Sequence, residues 1–270
     1  MDKIGILGCG WLGLPLAKIL INDGHFVKGT STSLEKVLKL SKLGVKSYHY
    51  LIDIKKVVTS PFFKSIDTLV ITTPLFSRDN NSLGIDKGVG QLIKIIEDES
   101  IKNVIYLSSI SVYGSKNGLI KESDECKPES KSGIQILTIE NLLNKGKFKT
   151  TLIRLGGLIG SDRHPIYSLS GKEFTKGNEL INLIHQVDAL GIILKAIKNF
   201  DNNTLILNAV TPFHPSKKDY YLKIANQKKI LPPIFIEEKK NKKIVSSSRV
   251  IEKFNYMFQV DKLLLNEEYH

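Results

Sequence analysis

Three glycines near the start of the chain have a spacing that serves chemistry at a bare backbone. Gly8, Gly10 and Gly13 form a Gly-x-Gly-x-x-Gly turn, with Cys9, Trp11 and Leu12 between them. An apolar run, Ile4-Gly5-Ile6-Leu7, leads in, and a helix-like stretch from Leu14 to Ile21 leads out. In that setting each glycine has its own task. Gly8 makes the tight turn out of the strand. Gly10 leaves room for a pyrophosphate to approach the backbone. Gly13 lets the helix pack closely on the strand. Free N–H groups and the positive end of the helix dipole then face the phosphates. Pro15 suits the first turn, where a missing N–H loses no intrahelical partner. Trp11 and Leu12 belong to the same candidate dinucleotide site. The bland alternative is a glycine-rich turn with no ligand. Cys9 reads as a small residue that fits the turn rather than as a redox group.

The ends of later strands must supply the rest of such a site. The second strand ends at Gly29-Thr30-Ser31-Thr32-Ser33. No acidic residue stands there to hold the ribose 2′-hydroxyl of NAD. Hydroxyl groups and Lys36 instead suit a 2′-phosphate. Thr32 and Lys36 are therefore cofactor candidates, with NADP(H) preferred and NAD(H) second; a helix cap and a surface lysine are the competing reading. Asp53-Ile54, after the next strand, offers an acceptor for an adenine amino group and a cover for its ring. Thr72, Thr73 and Pro74 follow the fourth strand, on the side where open α/β sheets bind ligands.

Stepping from these residues to the elements that hold them, apolar runs recur at Ile4–Leu7, Phe26–Val27, Tyr48–Ile52, Thr68–Ile71, Val104–Leu107 and Thr151–Leu155. Helical patterns lie between several of them, at Leu34–Leu43, Val89–Ile96 and Ile134–Leu143. Short buried strands alternating with helices predict an α/β protein of Rossmann type, a doubly wound parallel sheet. Leu75 to Gly88 and Ser168 to Asn178 read as loops. Farther on, Thr204–Asn208 reads as a strand, Ser216 as the N-cap of a helix Lys217–Gln227, Ile234–Ile236 as an edge strand, and Ser247 as the start of the last helix.

Composition narrows the function classes. The chain has 270 residues, 41% hydrophobic and 24% charged, as in an ordinary globular protein. Its net charge is +12, but Arg78, Arg154, Arg163 and Arg249 are the only arginines and the lysines are dispersed. That pattern reads as a solvated face with attraction for anionic small molecules, not as a nucleic-acid reader. No apolar run approaches the roughly 20 residues of a membrane span. Met1-Asp2-Lys3 leads straight into the first strand, and two cysteines make no disulfide framework, so a cytoplasmic location is expected. The histidines lack metal-ligand spacing, so no metal is expected. The partner is a small-molecule substrate, and the protein is a monomer or a homodimer.

The fifth strand runs into Ser108-Ser109-Ile110-Ser111-Val112-Tyr113-Gly114. This stretch resembles the serine motif of extended short-chain dehydrogenase/reductases, the epimerase/dehydratase family. The resemblance continues in order through Arg154–Gly160, through Asn182-Leu183-Ile184-His185-Gln186-Val187-Asp188, and through Ser246-Ser247-Ser248-Arg249. It extends to the compact, atypical YeeZ-like bacterial group at Gly133–Glu140, Asp162-Arg163-His164-Pro165 and Phe213-His214-Pro215. It implies a Rossmann core over 1–155 and, over 156–270, the completion of the sheet and a small substrate lobe, all in one compact unit. It also implies that Ser109 holds a substrate oxygen while a tyrosine exchanges the proton, aided by a lysine four residues on. Here the chain departs from the family. Glu140 fits the family's glutamate, which leaves Ser132 at the tyrosine position and Ile136 at the lysine position. None of the nine tyrosines has lysine four residues later. Standard Tyr–Lys catalysis is therefore not carried over. Ser109, Tyr113 and His164 remain as catalytic candidates, and Ser111, Arg163 and His185 as substrate contacts. Packing competes as the explanation for Tyr113, His185 and Ser111. Two readings follow: an NADP-preferring oxidoreductase or epimerase-like enzyme on a small or sugar-like substrate, or a dinucleotide-binding sensor or interaction protein without chemistry.

Overall fold

The first apolar run becomes β1 (Lys3–Leu7), with Ile4 and Ile6 fully buried. A computed structural model of the chain describes residues 1–52, 57–75, 84–236, 242–260 and 262–263. After β1 comes α1 (Gly13–Asn22), which buries Leu16, Ala17 and Leu20 at helical spacing. Next are β2 (Phe26–Ser31), α2 (Leu34–Lys42), β3 (Lys46–His49), β4 (Thr68–Ile71), α3 (Ile85–Asp98) and β5 (Asn103–Ser109). A single 3-10 turn, Ile110–Tyr113, leads to β6 (Gly118–Ile120), α4 (Lys131–Leu143), β7 (Lys149–Leu155), β8 (Gly157–Ile159), α5 (Ile166–Leu169), β9 (Glu173–Phe174) and β10 (Leu183–His185). The chain continues with α6 (Gln186–Lys198), β11 (Leu205–Ala209), α7 (Lys217–Lys228), β12 (Ile234–Phe235), β13 (Lys243–Val245) and α8 (Ser248–Phe254).

Seven strands form the main sheet in the order β11-β7-β5-β4-β1-β2-β3. β1 pairs in parallel with β2 on one side, Lys3 opposite Phe26, and with β4 on the other, Ile4 opposite Thr68. The order reverses between β1 and β4. That is the switch point of a doubly wound sheet, where ligands bind beyond the carboxyl ends of the strands. The expected Rossmann-type class is the one observed. Three short two-stranded pairings, β8 with β10, β9 with β12 and β6 with β13, lie outside this sheet.

Two compact units can be separated. One comprises Met1–Val112, Pro128–Arg154 and Ile193–Ile206; the other comprises Tyr113–Lys127, Leu155–Ile192 and Leu207–His270. The first unit encloses a charged cluster. Glu140 on α4 is 1% exposed and takes two bonds from Arg154 on β7, Nε to Oε1 at 3.1 Å and Nη2 to Oε2 at 2.7 Å. The Ser108 hydroxyl on β5 donates to the same carboxylate. The fully buried Asp188 serves the second unit. Its carboxylate accepts from the Tyr256 hydroxyl at 3.0 Å and from the N–H groups of Gln259 and Val260 at 2.8 and 3.1 Å.

Several boundaries differ from the sequence reading. β3 begins at Lys46 and stops at His49, short of the expected Ile52, with Tyr50 N–H still bonded to Ser31 O. α3 starts at Ile85, inside the expected loop, because Gly84 adopts φ +99° as its N-cap and Asp86 supplies a first-turn acid. The loop expected over Ser168–Asn178 contains the end of α5 and all of β9, whose Phe174 ring meets Phe235 edge-on at 5.9 Å. Ser216 caps α7 as expected, its hydroxyl accepting from Asp219 N–H.

The buried ion pair generates a stability prediction. Replacing Glu140 with alanine leaves the Arg154 charge enclosed without its carboxylate, and a loss of about 3–5 kcal/mol is expected in urea unfolding. A loss under about 1 kcal/mol would mean that water reaches the arginine.

Candidate functional site

The glycine turn is held from both sides. Thr30 on β2 accepts the Gly8 N–H on its hydroxyl at 2.9 Å and the Cys9 N–H on its carbonyl at 2.7 Å. From the end of β4, the Thr72 hydroxyl reaches Leu7 O at 3.2 Å and Gly8 O more closely. Gly8 sits at φ +104°, where side chains are strained. A Cβ on Gly13 would lie 2.3 Å from Gly8 O, so α1 starts directly against the end of β1. Gly10 is the opposite case, since a Cβ there would meet nothing within 4 Å. The turn is thus packed shut at Gly8 and Gly13 and open at Gly10. Leu12 caps α1 without a side-chain bond, and no acidic residue stands in the first turn. Both features fit an anionic group above Gly10. Cys9 is buried, and loss of water pushes its thiol up to about 12, opposed in part by a backbone hydrogen bond with Thr30. It is a packing residue.

Thr32 and Lys36 are both exposed beyond the carboxyl end of β2. The cap of α2 is Ser33, whose hydroxyl accepts from Lys36 N–H at 3.4 Å, so the Thr32 side chain does not cap the helix. Thr73 and Pro74 follow Thr72, and Thr73 Cβ lies within 2.8 Å of where a Gly8 Cβ would be. Thr72 therefore braces the turn through its hydroxyl, and Thr73 stands beside Gly8. Asp53 and Ile54 lie outside the described residues.

At the carboxyl end of β5 the Ser109 hydroxyl accepts from Ser111 N–H at 3.1 Å, and its own proton has no acceptor among the described residues. The Ser111 hydroxyl is buried, with no hydrogen-bond partner among the described residues. In α4, Ser132 is exposed in the first turn and Ile136 is buried.

The second unit holds the other candidates. Tyr113 is fully buried and donates to Asn208 Oδ1 at 2.8 Å. Asn208 is held in turn by Glu122, Oε1 accepting its N–H at 2.9 Å. His164 is 6% exposed. Its Nδ1 accepts from Ile166 N–H at 3.1 Å, which leaves Nε2 to donate to the Tyr220 hydroxyl at 3.0 Å; Tyr220 donates onward to Leu263 O. Both ring nitrogens are engaged, and burial lowers the His164 pKa to about 4, with a smaller effect from Lys228. Arg163 is exposed, in a turn closed by Gly160 and Arg163 backbone bonds. His185 is 8% exposed at the end of β10, with Nδ1 accepting from Val187 N–H at 3.3 Å and its pKa lowered mainly by burial. The geometry gathers the glycine turn, Thr72, Thr73 and Ser109 at the carboxyl ends of neighbouring strands. Tyr113 and His164, expected as catalytic candidates, are both enclosed and hydrogen-bonded. Sequence reading missed Thr30 and Asn208, which carry no motif of their own. It also did not see that Glu140, Arg154 and Ser108 form one cluster, although a lone arginine in an apolar strand was a signal.

No family model matches the chain. Protein YeeZ from Escherichia coli strain K12 is 30% identical over 269 residues, 96% of each chain. The chain belongs to the YeeZ family. Solved structures extend the likeness to the fold of this YeeZ-family member. UDP-glucuronic acid 4-epimerase from Bacillus cereus in complex with NAD gives a TM-score of 0.78 at 16% identity, covering 95% of this chain and 94% of that one. MoeE5 in complex with UDP-glucuronic acid and NAD gives 0.78 at 16% identity, over 96% and 94%. Among the described residues no helix is long and apolar enough to cross a membrane, and no group of three acidic, histidine or cysteine side chains is placed to hold a metal.

Two predictions concern this geometry. Gly10→Ala is expected to keep the wild-type unfolding midpoint, while Gly13→Ala loses about 1–3 kcal/mol because backbone must move; equal midpoints would refute the packing difference. The second is a pH effect. The folded protein keeps His164 neutral down to about pH 4, while the unfolded chain takes up its proton near 6.5. Stability is therefore lost as pH falls from about 6.5 to about 4, and His164→Gln should flatten part of that slope in urea titrations across the range.

Proposed function

We propose that this YeeZ-family protein binds a nicotinamide dinucleotide, NADP(H) in preference to NAD(H), and acts as an oxidoreductase or epimerase-like enzyme on a small or sugar-like substrate. The observation that carries the reading is the glycine turn, closed by packing at Gly8 and Gly13 and open only at Gly10. NAD in the related epimerase structures supports the cofactor class. The preference for a 2′-phosphate rests on exposed Thr32 and Lys36, with no acidic residue in Gly29–Ser33. When bound, the nicotinamide supplies hydride transfer.

The chain's own part is positioning. Backbone N–H groups of Leu12 and Gly13, at the start of α1, hold the pyrophosphate. The Ser109 hydroxyl, its oxygen fixed by Ser111 N–H, donates its proton to a substrate oxygen and orients it. Arg163 is suited to an anionic substrate group. The enclosed hydrogen bonds of Tyr113 and His164 support a structural role for both. The same enclosure, with Ile136 in place of the lysine, favours a second reading, a dinucleotide-responsive protein without turnover.

Thermal-shift and calorimetric titration with NADPH, NADP, NADH and NAD tests the proposal. NADPH should bind tightest, Gly10→Asp should abolish binding of all four, and Lys36→Ala should weaken NADPH about tenfold, ~1.4 kcal/mol, while leaving NADH unchanged. No shift with any of the four would refute the cofactor reading. Ser109→Ala separates the two functional readings: an enzyme loses turnover and keeps cofactor, while a sensor keeps its response.

A further inference from the structure

The amino end of the same sheet borders a cavity. In β2, Val27 and Gly29 alternate with Phe26, Lys28 and Thr30, so the two sets face opposite sides. A Cβ on Gly29 would meet Leu40 of α2, which identifies the helix-covered face. Lys28 therefore lies on the other face. Pairing Lys3 with Phe26 and Lys28 with Lys46, and Tyr48 two residues on, puts all five on that face. There the cover is a turn at 61–65, packed where a Cβ on Gly5 would strike Ile66 and Phe62. A turn covers less than a helix. A cavity of about 460 Å3 remains, lined by Met1, Phe26, Tyr48 and Pro61 with Lys3, Lys28, Lys46, Lys64 and Ser65.

Lys28 is the unusual member. It is 4% exposed, and its ammonium donates to Pro61 O at 2.9 Å and Lys64 O at 2.7 Å, with the Tyr48 ring centroid 5.4 Å away. Two neutral carbonyls and an aromatic ring face bring no formal negative charge to this ammonium, and among the described residues one of its three donors has no hydrogen-bond acceptor. Among the described residues, none of Lys3, Lys28, Lys46 and Lys64 forms an ion pair with a carboxylate, and no acidic side chain lines the cavity. Aromatic and proline walls supply the apolar surface. The volume is that of a metabolite pocket.

We propose that this cavity binds a small organic carboxylate with a flat apolar body, its charge held by Lys28, Lys46 and Lys64 and its body against Phe26, Tyr48 and Pro61. The site lies at the opposite strand ends from the glycine turn and is independent of the dinucleotide reading. Calorimetric titration with 1-naphthoate and with its uncharged counterpart 1-naphthamide tests it. Naphthoate should bind at least tenfold more tightly than the amide. The variant Lys46→Gln/Lys64→Gln, which alters only exposed side chains, should lose at least tenfold in naphthoate affinity while its unfolding midpoint and NADPH response stay as in the wild type. No binding of naphthoate, equal binding of acid and amide, or unchanged affinity in the double variant would each overturn the proposal.

Discussion

The structure depends on one close approach, that of the first helix to the first strand. α1 begins so near the end of β1 that only a hydrogen fits at Gly13, and Gly8 must adopt a backbone conformation that side chains resist. The neighbouring strands are committed to maintaining this approach. Thr30 donates no bond to the turn but accepts two of its N–H groups, and Thr72 closes the other side through its hydroxyl. Strand order follows from the same demand, since β2 and β4 must flank β1 to reach the turn. What remains unfilled after this packing is the space above Gly10.

A second theme is the separation of architecture from reaction. α4 keeps its glutamate, which ties β5 and β7 to the helix through Ser108 and Arg154. One turn earlier the helix presents Ile136 to the interior. Removing a surface-facing pair leaves the fold intact, whereas the enclosed ion pair cannot lose one partner without exposing the other to an apolar interior. A shared fold does not by itself fix the chemistry of a site.

Much of the first half was legible because its signals are local. Apolar runs of four or five residues, a glycine triplet and hydroxyl caps such as Ser216 depend on neighbours in sequence. Boundaries slipped where a backbone angle decided them, as at Gly84, whose φ of +99° moved the start of α3 forward. Side-chain roles were less legible. Tyr113 and His164 are types that titrate, and nothing near them in sequence reveals that Asn208 and Tyr220, 95 and 56 residues away, absorb their hydrogen bonds. Lys28 also escaped notice, because a lysine inside a strand reads as surface until the opposite face of the sheet is known.

Asp188 has a consequence for the order in which the protein is made. It stands at the start of α6, yet its three donors come from residues 256–260. Until that late segment leaves the ribosome, the carboxylate has none of these donors and its apolar surroundings stay open. The second unit consequently closes only after residues 256–260 have been made, whereas β1 to β5 of the main sheet can pair before then. A nascent chain paused before Tyr256 would hold paired strands and an Asp188 carboxylate without these three donors.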